Sequence, residues 1–205
     1  DYLNWAWSLK MKKLVLVSAL LLSFGSVQAA ESPRWDSASI SYQSVDVDGD
    51  KLTGFGISGS KLLGEDLFVI GGYANASDDI NVFGSNVDLD FNTLSIGLGY
   101  RYALSQSSDF FGVVSYEDVE VEASYQGNSE SMSDNGYGLT VGVRSMLSEQ
   151  VELMGSIQYV DVADETETAF SVSTLYNFTE QFSAGVGYSK ADNDDRLSVS
   201  AVYFF

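Results

Sequence analysis

The sequence predicts an all-β protein, an antiparallel up-and-down transmembrane β-barrel of ten strands. Three observations predict this fold: ten segments with period-2 alternation, connections that alternate between short and longer, and aromatic residues sorted to two levels. The composition agrees, since the 205 residues include 19 Gly, 12 Tyr and 12 Phe but only one Pro. Tight turns and aromatic strand residues with almost no proline are typical of β-rich proteins.

The first thirty residues are predicted to lie outside the barrel. A basic start at residues 11–13 precedes an apolar run, and small residues follow up to Ala29. This order is typical of a secretory signal, and the apolar run is too short to span a membrane. We expect three parts: residues 1–10, upstream of the native product; residues 11–29, a signal peptide cleaved after Ala29 or Ala30; and residues 30–205, the barrel.

The rest of the chain alternates with the period of β-strands, and no stretch keeps a helical period over three turns. The ten alternating segments are 36–45, 52–61, 67–75, 91–102, 110–118, 136–146, 151–160, 168–177, 182–189 and 196–205. An even number of antiparallel strands places both chain ends on the same side. Eight strands remain an alternative to ten.

The connections between these segments alternate in length and in charge. The short ones are 63–66, 105–109, 148–150 and 178–181. The mostly longer ones, which carry most of the acidic residues, are 46–51, 76–90, 119–135, 161–167 and 190–195. Short turns on one side and longer loops on the other are typical of an outer-membrane barrel.

The two faces of each segment differ in a way that favours a lipid-facing exterior. Leu94, Ile96 and Leu98 share one face, whereas Gly97 and Gly99 share the other. In a soluble sandwich or lipocalin the apolar face points inward, but a second face of glycine and serine makes a poor solvated surface. An apolar face toward lipid and a small, polar interior explain both faces.

The aromatic residues form two predicted interface rings. If the chain starts on the periplasmic side, one group lies at the outer end of the apolar band: Tyr42, Tyr73, Tyr116, Tyr137, Tyr159 and Tyr188. The other group lies at the inner end: Tyr100, Tyr102, Phe110, Tyr176, Phe182, Tyr203 and Phe205. Amphipathic rings are most stable at lipid–water interfaces. In segments 67–75 and 110–118 the alternation alone does not show which face points outward, so the sorting of the aromatic residues also serves to assign their outward faces.

Three stretches carry a resemblance to a known family: the runs 97–102 (GLGYRY), 185–188 (GVGY) and 201–205 (AVYFF). With them, the chain resembles the small Gram-negative outer-membrane β-barrel family that includes the OmpA-like and OmpX/Ail-like barrels. The resemblance implies a location in the bacterial outer membrane, contact with its lipid and lipopolysaccharide, and a monomer. It also implies that the barrel assembly machinery recognises the last strand, with Tyr203 and Phe205 as the signal.

The composition excludes several kinds of chemistry. The chain has neither His nor Cys, so it has no Ser-His-Asp or Cys-His catalysis, no zinc–thiolate site and no disulfide. Outer-membrane proteases and lipid A-modifying hydrolases of known families use a histidine, so we expect no enzyme and no cofactor. The net charge of −19 repels phosphates and makes nucleic acid an unsuitable partner.

Four charged residues are expected to point into the barrel: Arg101, Glu117, Arg144 and Glu152. Arg144 and Glu152 flank a short turn and sit nearly opposite each other on adjacent strands. A charge in a narrow interior needs a partner, so an ion-pair network that braces the barrel is one interpretation. A constriction in a small pore is the other, because inward glycine and serine leave space.

The acidic loops are the candidate interaction sites. Asp46, Asp48 and Asp50 are spaced like calcium ligands, but the Gly comes too early for an EF-hand and no Glu follows in register. An ordinary hairpin loop and weak Mg²⁺ or Ca²⁺ binding that bridges to lipopolysaccharide both remain open. The sequence therefore predicts a structural or surface-interaction role through acidic extracellular loops; a narrow, weakly cation-selective pore is the alternative.

Overall fold

The computed structural model describes residues 32–47, 50–82, 85–125, 128–163, 165–191 and 194–205. The expected upstream segment and signal peptide, residues 1–29, lie outside these ranges. In the described part of the chain, no helix is long and apolar enough to cross a membrane.

The described residues form ten antiparallel strands that close into a barrel. The strands are β1 (Ser37–Val47), β2 (Asp50–Leu62), β3 (Leu67–Val82), β4 (Ser85–Ser105), β5 (Ser108–Tyr125), β6 (Asn128–Met146), β7 (Val151–Val162), β8 (Glu165–Asn177), β9 (Phe182–Ala191) and β10 (Asp194–Phe204). Each pairs with its neighbours in sequence, and β1 pairs with β10 to close the sheet. The predicted ten-stranded barrel is confirmed, and the eight-strand alternative is wrong.

The outward faces of the strands are apolar around the middle of the barrel. In β4, Ile96 and Leu98 are each 54% exposed, whereas Gly97 between them faces the interior. Exposed apolar side chains are stable where hydrocarbon replaces water, and the closed sheet leaves no unpaired strand edge in the lipid. The structure therefore has the apolar exterior that the sequence predicts.

The start of β1, the end of β10 and four short turns lie at one end of the barrel, called here the turn end. The turns comprise residues 63–66, 106–107, 147–150 and 178–181. In the first turn Gly64 has a φ of 126°, which L side chains rarely adopt, while a Cβ built there would meet nothing within 4 Å. Backbone conformation, rather than lack of space, therefore favours glycine at this position.

The opposite end, called here the loop end, differs from the prediction. Residues 76–90 and 119–135 are mainly strand rather than loop, because β3 to β6 continue well beyond the alternating segments. Pairing of β3 with β2 ends at Ser77, and pairing of β6 with β7 ends at Gly136. Beyond these points β3 to β6 form a four-stranded extension, called here the outer sheet.

A reversal of the alternation explains why the outer sheet is hard to recognise in the sequence. In β4, Leu94 and Ile96 face outward, but nearer the loop end Leu89 and Phe91 face inward and are only 4% and 2% exposed. Beyond the lipid, water covers the outer face, so apolar side chains turn inward as in a soluble barrel. The apolar residues thus change from the outward to the inward face within one strand, and this change obscures the period-2 pattern.

The structure also fixes the two strands whose faces were ambiguous. Phe68 and Ile70 of β3, and Phe111 and Val113 of β5, are all buried in the interior. This is the assignment that the sorting of the aromatic residues predicts.

Inward glycines make room for two of these rings. A Cβ on Gly99 would lie 2.1 Å from Cζ of Phe68, and one on Gly142 would lie 2.6 Å from Cζ of Phe111. The expected free space at these two glycines is therefore filled by neighbouring aromatic rings.

Replacing Gly99 with alanine should lower the free energy of unfolding by about 1–3 kcal/mol, because the ring of Phe68 must move to relieve the overlap. Urea unfolding in detergent micelles, followed by the gel mobility of the folded barrel, measures the change. The matched control is Gly155→Ala, where the nearest atom to an added Cβ is 4.0 Å away. Equal losses in both variants would contradict the role of the Phe68 ring.

Candidate functional site

Trp35, just before β1, folds into the barrel at the turn end. Its ring lies 4.4 Å from the ring of Phe68 and 5.5 Å from that of Phe111, measured between centroids. Its Nε1 donates to Oδ2 of Asp109 at 2.8 Å, and its carbonyl accepts from the hydroxyl of Ser60 at 2.6 Å. Trp35 with Phe68, Phe111 and Asp109 is called the Trp35 plug, and it fills the turn end of the interior.

Arg144 of β6 braces the Trp35 plug. Its Nε donates to Oε1 of Glu152 at 2.7 Å, and both side chains are at most 2% exposed. Its Cζ lies 4.3 Å from the centroid of the Trp35 ring, and its Nη2 donates to the carbonyl of Arg34 at 2.9 Å. The structure thus brings together the two charges that the sequence places opposite each other, and it adds a cation–π contact.

Arg101 and Glu117, the other two predicted interior charges, do not join this pair. Arg101 lies at the turn end, where its Nη1 is 3.3 Å from Oδ2 of Asp109. Glu117 lies further along β5, and its Oε1 accepts from Ser95 at 3.0 Å and from Ser115 at 2.6 Å. Three of the four charges therefore belong to two ion pairs at the turn end, with Asp109 as the additional partner, and Glu117 is a separate carboxylate.

Three interior side chains were missed by the sequence analysis: Trp35, Asp109 and Arg196. Trp35 precedes the first alternating segment, and Asp109 was assigned to a turn. Arg196 of β10 is 1% exposed, and its guanidinium has no hydrogen-bond partner among the described residues. For two of these residues the sequence does contain a signal. Asp109 has the same inward parity as Phe111, and Arg196 has the same inward parity as Ser198.

A belt of polar side chains lines the middle of the interior. Serine pairs bridge neighbouring strands: the hydroxyls of Ser39 and Ser58 are 2.7 Å apart, and Ser171 donates to Ser189 at 2.9 Å. The larger members of the belt, all buried, are Gln43, Thr93, Glu117, Thr140, Gln158 and Arg196.

An apolar layer, called here the roof, closes the interior toward the loop end. It consists of Val45, Leu52, Ala74, Ala76, Leu89, Phe91, Val119, Val121, Val160, Val162, Ala169 and Ala191. The interior therefore has three layers from the turn end to the loop end: the Trp35 plug, the polar belt and the roof.

The ten tyrosines of the predicted interface rings all lie on outward faces. Tyr42, Tyr73, Tyr116, Tyr137, Tyr159 and Tyr188 lie nearer the loop end, and Tyr100, Tyr102, Tyr176 and Tyr203 nearer the turn end. In the first group, the hydroxyls of Tyr73 and Tyr188 donate at 2.6 Å to Asn92 and Asp195. The hydrogen bonds from Tyr188 and then Lys190 hold the pKa of Asp195 below its ordinary value.

The C-terminal pair continues the inner ring. The rings of Tyr203 and Phe205 are stacked with centroids 6.4 Å apart, and Nζ of Lys61 lies 5.0 Å from the centroid of Phe205. Both aromatic side chains are outward and exposed. Their role as an assembly signal stays a prediction.

Carboxylates gather on the outward face of the outer sheet. Asp90 of β4 and Glu122 of β5 are direct register partners, and Glu120 and Asp118 follow along the same face of β5. Like charges directly opposite each other destabilise a sheet. This group, called here the acidic face, therefore adds repulsion just beyond the outer tyrosines.

The three aspartates considered for divalent ions are only partly described. Asp46 pairs in register with Lys51 of β2 and with Asp195 of β10. Asp48 and the side chain of Asp50 lie outside the described residues. Within the described ranges, no three acidic side chains converge closely enough to hold a metal ion.

Comparisons with known proteins agree with this architecture. The family model described as "Outer membrane protein beta-barrel domain" matches residues 16–189. The translocator domain of the autotransporter NalP from Neisseria meningitidis is 12% identical, with a TM-score of 0.50 over 100% of this chain and 98% of its own. The porin NanC is 9% identical, with a TM-score of 0.51 over 81% of this chain and 99% of its own.

Ail, the attachment invasion locus protein of Yersinia pestis, is 18% identical, with a TM-score of 0.45 over 83% of this chain and 99% of its own. At such identities the similarity of NalP and NanC concerns the fold alone. No curated protein matches the sequence.

Proposed function

Because the chain belongs to the outer membrane protein beta-barrel domain family and lies in the bacterial outer membrane, we propose that it is a closed barrel that acts at the cell surface through its acidic face. The loop end then lies outside the cell, and the turn end lies in the periplasm, as is usual for barrels with short periplasmic turns. In this orientation the acidic face stands just above the outer leaflet, and its ligands are cations.

One observation carries the proposal: Asp90 and Glu122 are register partners on the outward face of the outer sheet. A directly opposed acidic pair weakens the sheet unless a cation screens it. Two carboxylates also leave most coordination sites of Mg²⁺ or Ca²⁺ unfilled, and phosphate oxygens can fill them. The matching ligand is a divalent cation shared with the phosphates of lipopolysaccharide in the outer leaflet.

The test compares lipopolysaccharide binding by the parent barrel and by the double variant Asp90→Asn/Glu122→Gln, each reconstituted in nanodiscs. We expect Mg²⁺ to strengthen binding to the parent and expect the double variant to lose roughly tenfold in affinity, equivalent to about 1.4 kcal/mol. A matched control, Glu149→Gln, removes an exposed acid from a turn at the opposite end. Equal Mg²⁺ dependence in the parent and the double variant would reject the acidic face as the binding site.

The alternative function is a narrow, weakly cation-selective pore. The polar belt favours it, since small polar side chains line the middle of the interior. The Trp35 plug and the roof favour the closed barrel, since buried apolar side chains occupy both ends of the same interior. Single-channel recording in planar bilayers separates the two: absence of conductance steps supports the closed barrel, and regular cation-selective steps support the pore.

We also propose that the barrel is monomeric, as the family resemblance implies, and that it has no catalytic activity, because the chain has neither histidine nor cysteine to supply the usual nucleophile or base. A screen of the folded barrel against peptides and lipid A checks the second point.

A further inference from the structure

We propose that the interior of the barrel binds a sodium ion through the carboxylate of Glu117, the hydroxyl of Thr140 and the side-chain amide oxygen of Gln158. These residues lie on the adjacent strands β5, β6 and β7, on the inward face of the polar belt. Their exposed fractions are 0%, 2% and 3%. The site is separate from the acidic face and does not depend on the function proposed for it.

The carboxylate of Glu117 is held in one orientation and leaves one oxygen free. Its Oε1 accepts hydrogen bonds from both Ser95 and Ser115. The head of the side chain lies over Gly138 of β6, where a Cβ would come within 2.8 Å of Oε1. Its Oε2 is buried and accepts no hydrogen bond from a described residue. A fixed carboxylate with one unused oxygen is suited to bind a ligand.

The other two oxygens come from the neighbouring strands. Thr140 follows Gly138 by two residues and therefore shares its inward face, two residues nearer the turn end than the glycine under the head of Glu117. Gln158 is the register partner of Thr140 on β7. Oγ1 of Thr140 and Oε1 of Gln158 are buried and have no hydrogen-bond partner in the described part of the chain. Three oxygens without a hydrogen-bond partner among the described residues thus lie on the inward faces of three adjacent strands.

The charge and the ligand type select the ion. No salt bridge within the described ranges involves Glu117, although burial of an unpaired carboxylate is strongly unfavourable. Arg196, the buried cation of the belt, lies on β10 in the opposite wall of the ten-stranded barrel, and no salt bridge within the described ranges joins it to Glu117. One monovalent cation neutralises one carboxylate, whereas a divalent ion would leave excess positive charge between the Trp35 plug and the roof. Carboxylate, hydroxyl and amide oxygens are the ligands of hard cations.

The experiment measures the thermal midpoint of the folded barrel in detergent at equal ionic strength in sodium chloride and in choline chloride. We expect sodium to raise the midpoint of the parent, because a ligand that binds only the folded state stabilises it. The variant Glu117→Gln should lose the difference between the salts, and Thr140→Val should weaken the apparent sodium affinity roughly tenfold, as loss of one ligand interaction implies. The control Glu122→Gln, on the acidic face, should keep the full difference.

Three results would overturn the sodium site. One is an equal midpoint of the parent in both salts. Another is an equal sodium effect in the parent and in Glu117→Gln. The third is an infrared band of a protonated carboxyl that persists in sodium chloride and disappears only in Glu117→Gln, which would show that Glu117 is neutralised by a proton.

Discussion

Replacing Glu152 with glutamine should lower the free energy of unfolding by about 3–5 kcal/mol, because the guanidinium of Arg144 would remain buried without a countercharge. The pair is almost inaccessible to water, with exposures of 1% and 2%, so screening by solvent cannot compensate. Arg144 also stacks on Trp35 and donates to the carbonyl of Arg34, and an uncompensated charge disturbs both contacts. Urea unfolding of the reconstituted barrel measures the loss.

Two controls make the result specific to the buried pair. Glu149→Gln lies in the adjacent turn and is exposed, so it should change the unfolding free energy by no more than about 0.5 kcal/mol. The double variant Arg144→Met/Glu152→Met removes both charges together and should lose less than Glu152→Gln alone. A loss below about 1 kcal/mol in Glu152→Gln would mean that water or another group already shields Arg144. If the protein is a pore, the same change should alter its ion selectivity.

The second large effect is expected at Trp35. Trp35→Ala should lower the unfolding free energy by about 3–5 kcal/mol, the usual cost of removing a large buried aromatic side chain. Three losses combine: the packing against Phe68 and Phe111, the stacking of Arg144, and the hydrogen bond to Asp109. The mobility shift of the folded barrel on gels, followed as a function of urea, reports the change without relying on tryptophan fluorescence.

Trp35→Phe separates packing from hydrogen bonding. It keeps a ring against Phe68, Phe111 and Arg144 but removes the Nε1 donor, so it should lose only about 1–2 kcal/mol. Asp109 would keep its ion pair with Arg101. Equal losses for Trp35→Phe and Trp35→Ala would contradict the packing role and would assign the whole effect to the hydrogen bond.

The lipid-embedded part of the fold could be predicted from the sequence because a strand surrounded by hydrocarbon keeps its apolar residues on the outward face throughout. Leu94, Ile96 and Leu98 alternate with Gly97 and Gly99 for as long as β4 is in contact with hydrocarbon. The sequence predicts loops where the outer sheet lies, because the same strand passes from lipid into water and its apolar residues change from the outward to the inward face. A search for a reversed alternation, rather than for its end, would have extended β4 to Leu89 and beyond.

In the interior site, contacts between residues that are close in sequence could be predicted. Arg144 and Glu152 flank one turn and share the inward parity, so the sequence places them nearly opposite each other. In the observed register they are diagonal neighbours, since Arg144 pairs with Met154 and Glu152 with Met146. The Trp35 plug was not predictable in this way, since Trp35 and Asp109 are separated by 74 positions and no alternating segment contains Trp35. Glu117 lies on the inward face that its parity indicates, but no salt bridge of the described residues involves it, and that depends on side chains of other strands, which one segment does not reveal.

The reversal of the alternation also determines how deep the barrel sits. In β5 the outward face changes from Val114 and Tyr116 to Asp118 and Glu120 within a few residues. A shift of two residues toward the periplasm, about 6–7 Å along the strand, would bring carboxylates into the hydrocarbon, where charged side chains are unfavourable. The opposite shift would expose the apolar band to water. In β4 and β5 the boundary between apolar and acidic outward residues therefore opposes movement of the barrel along the membrane normal in either direction.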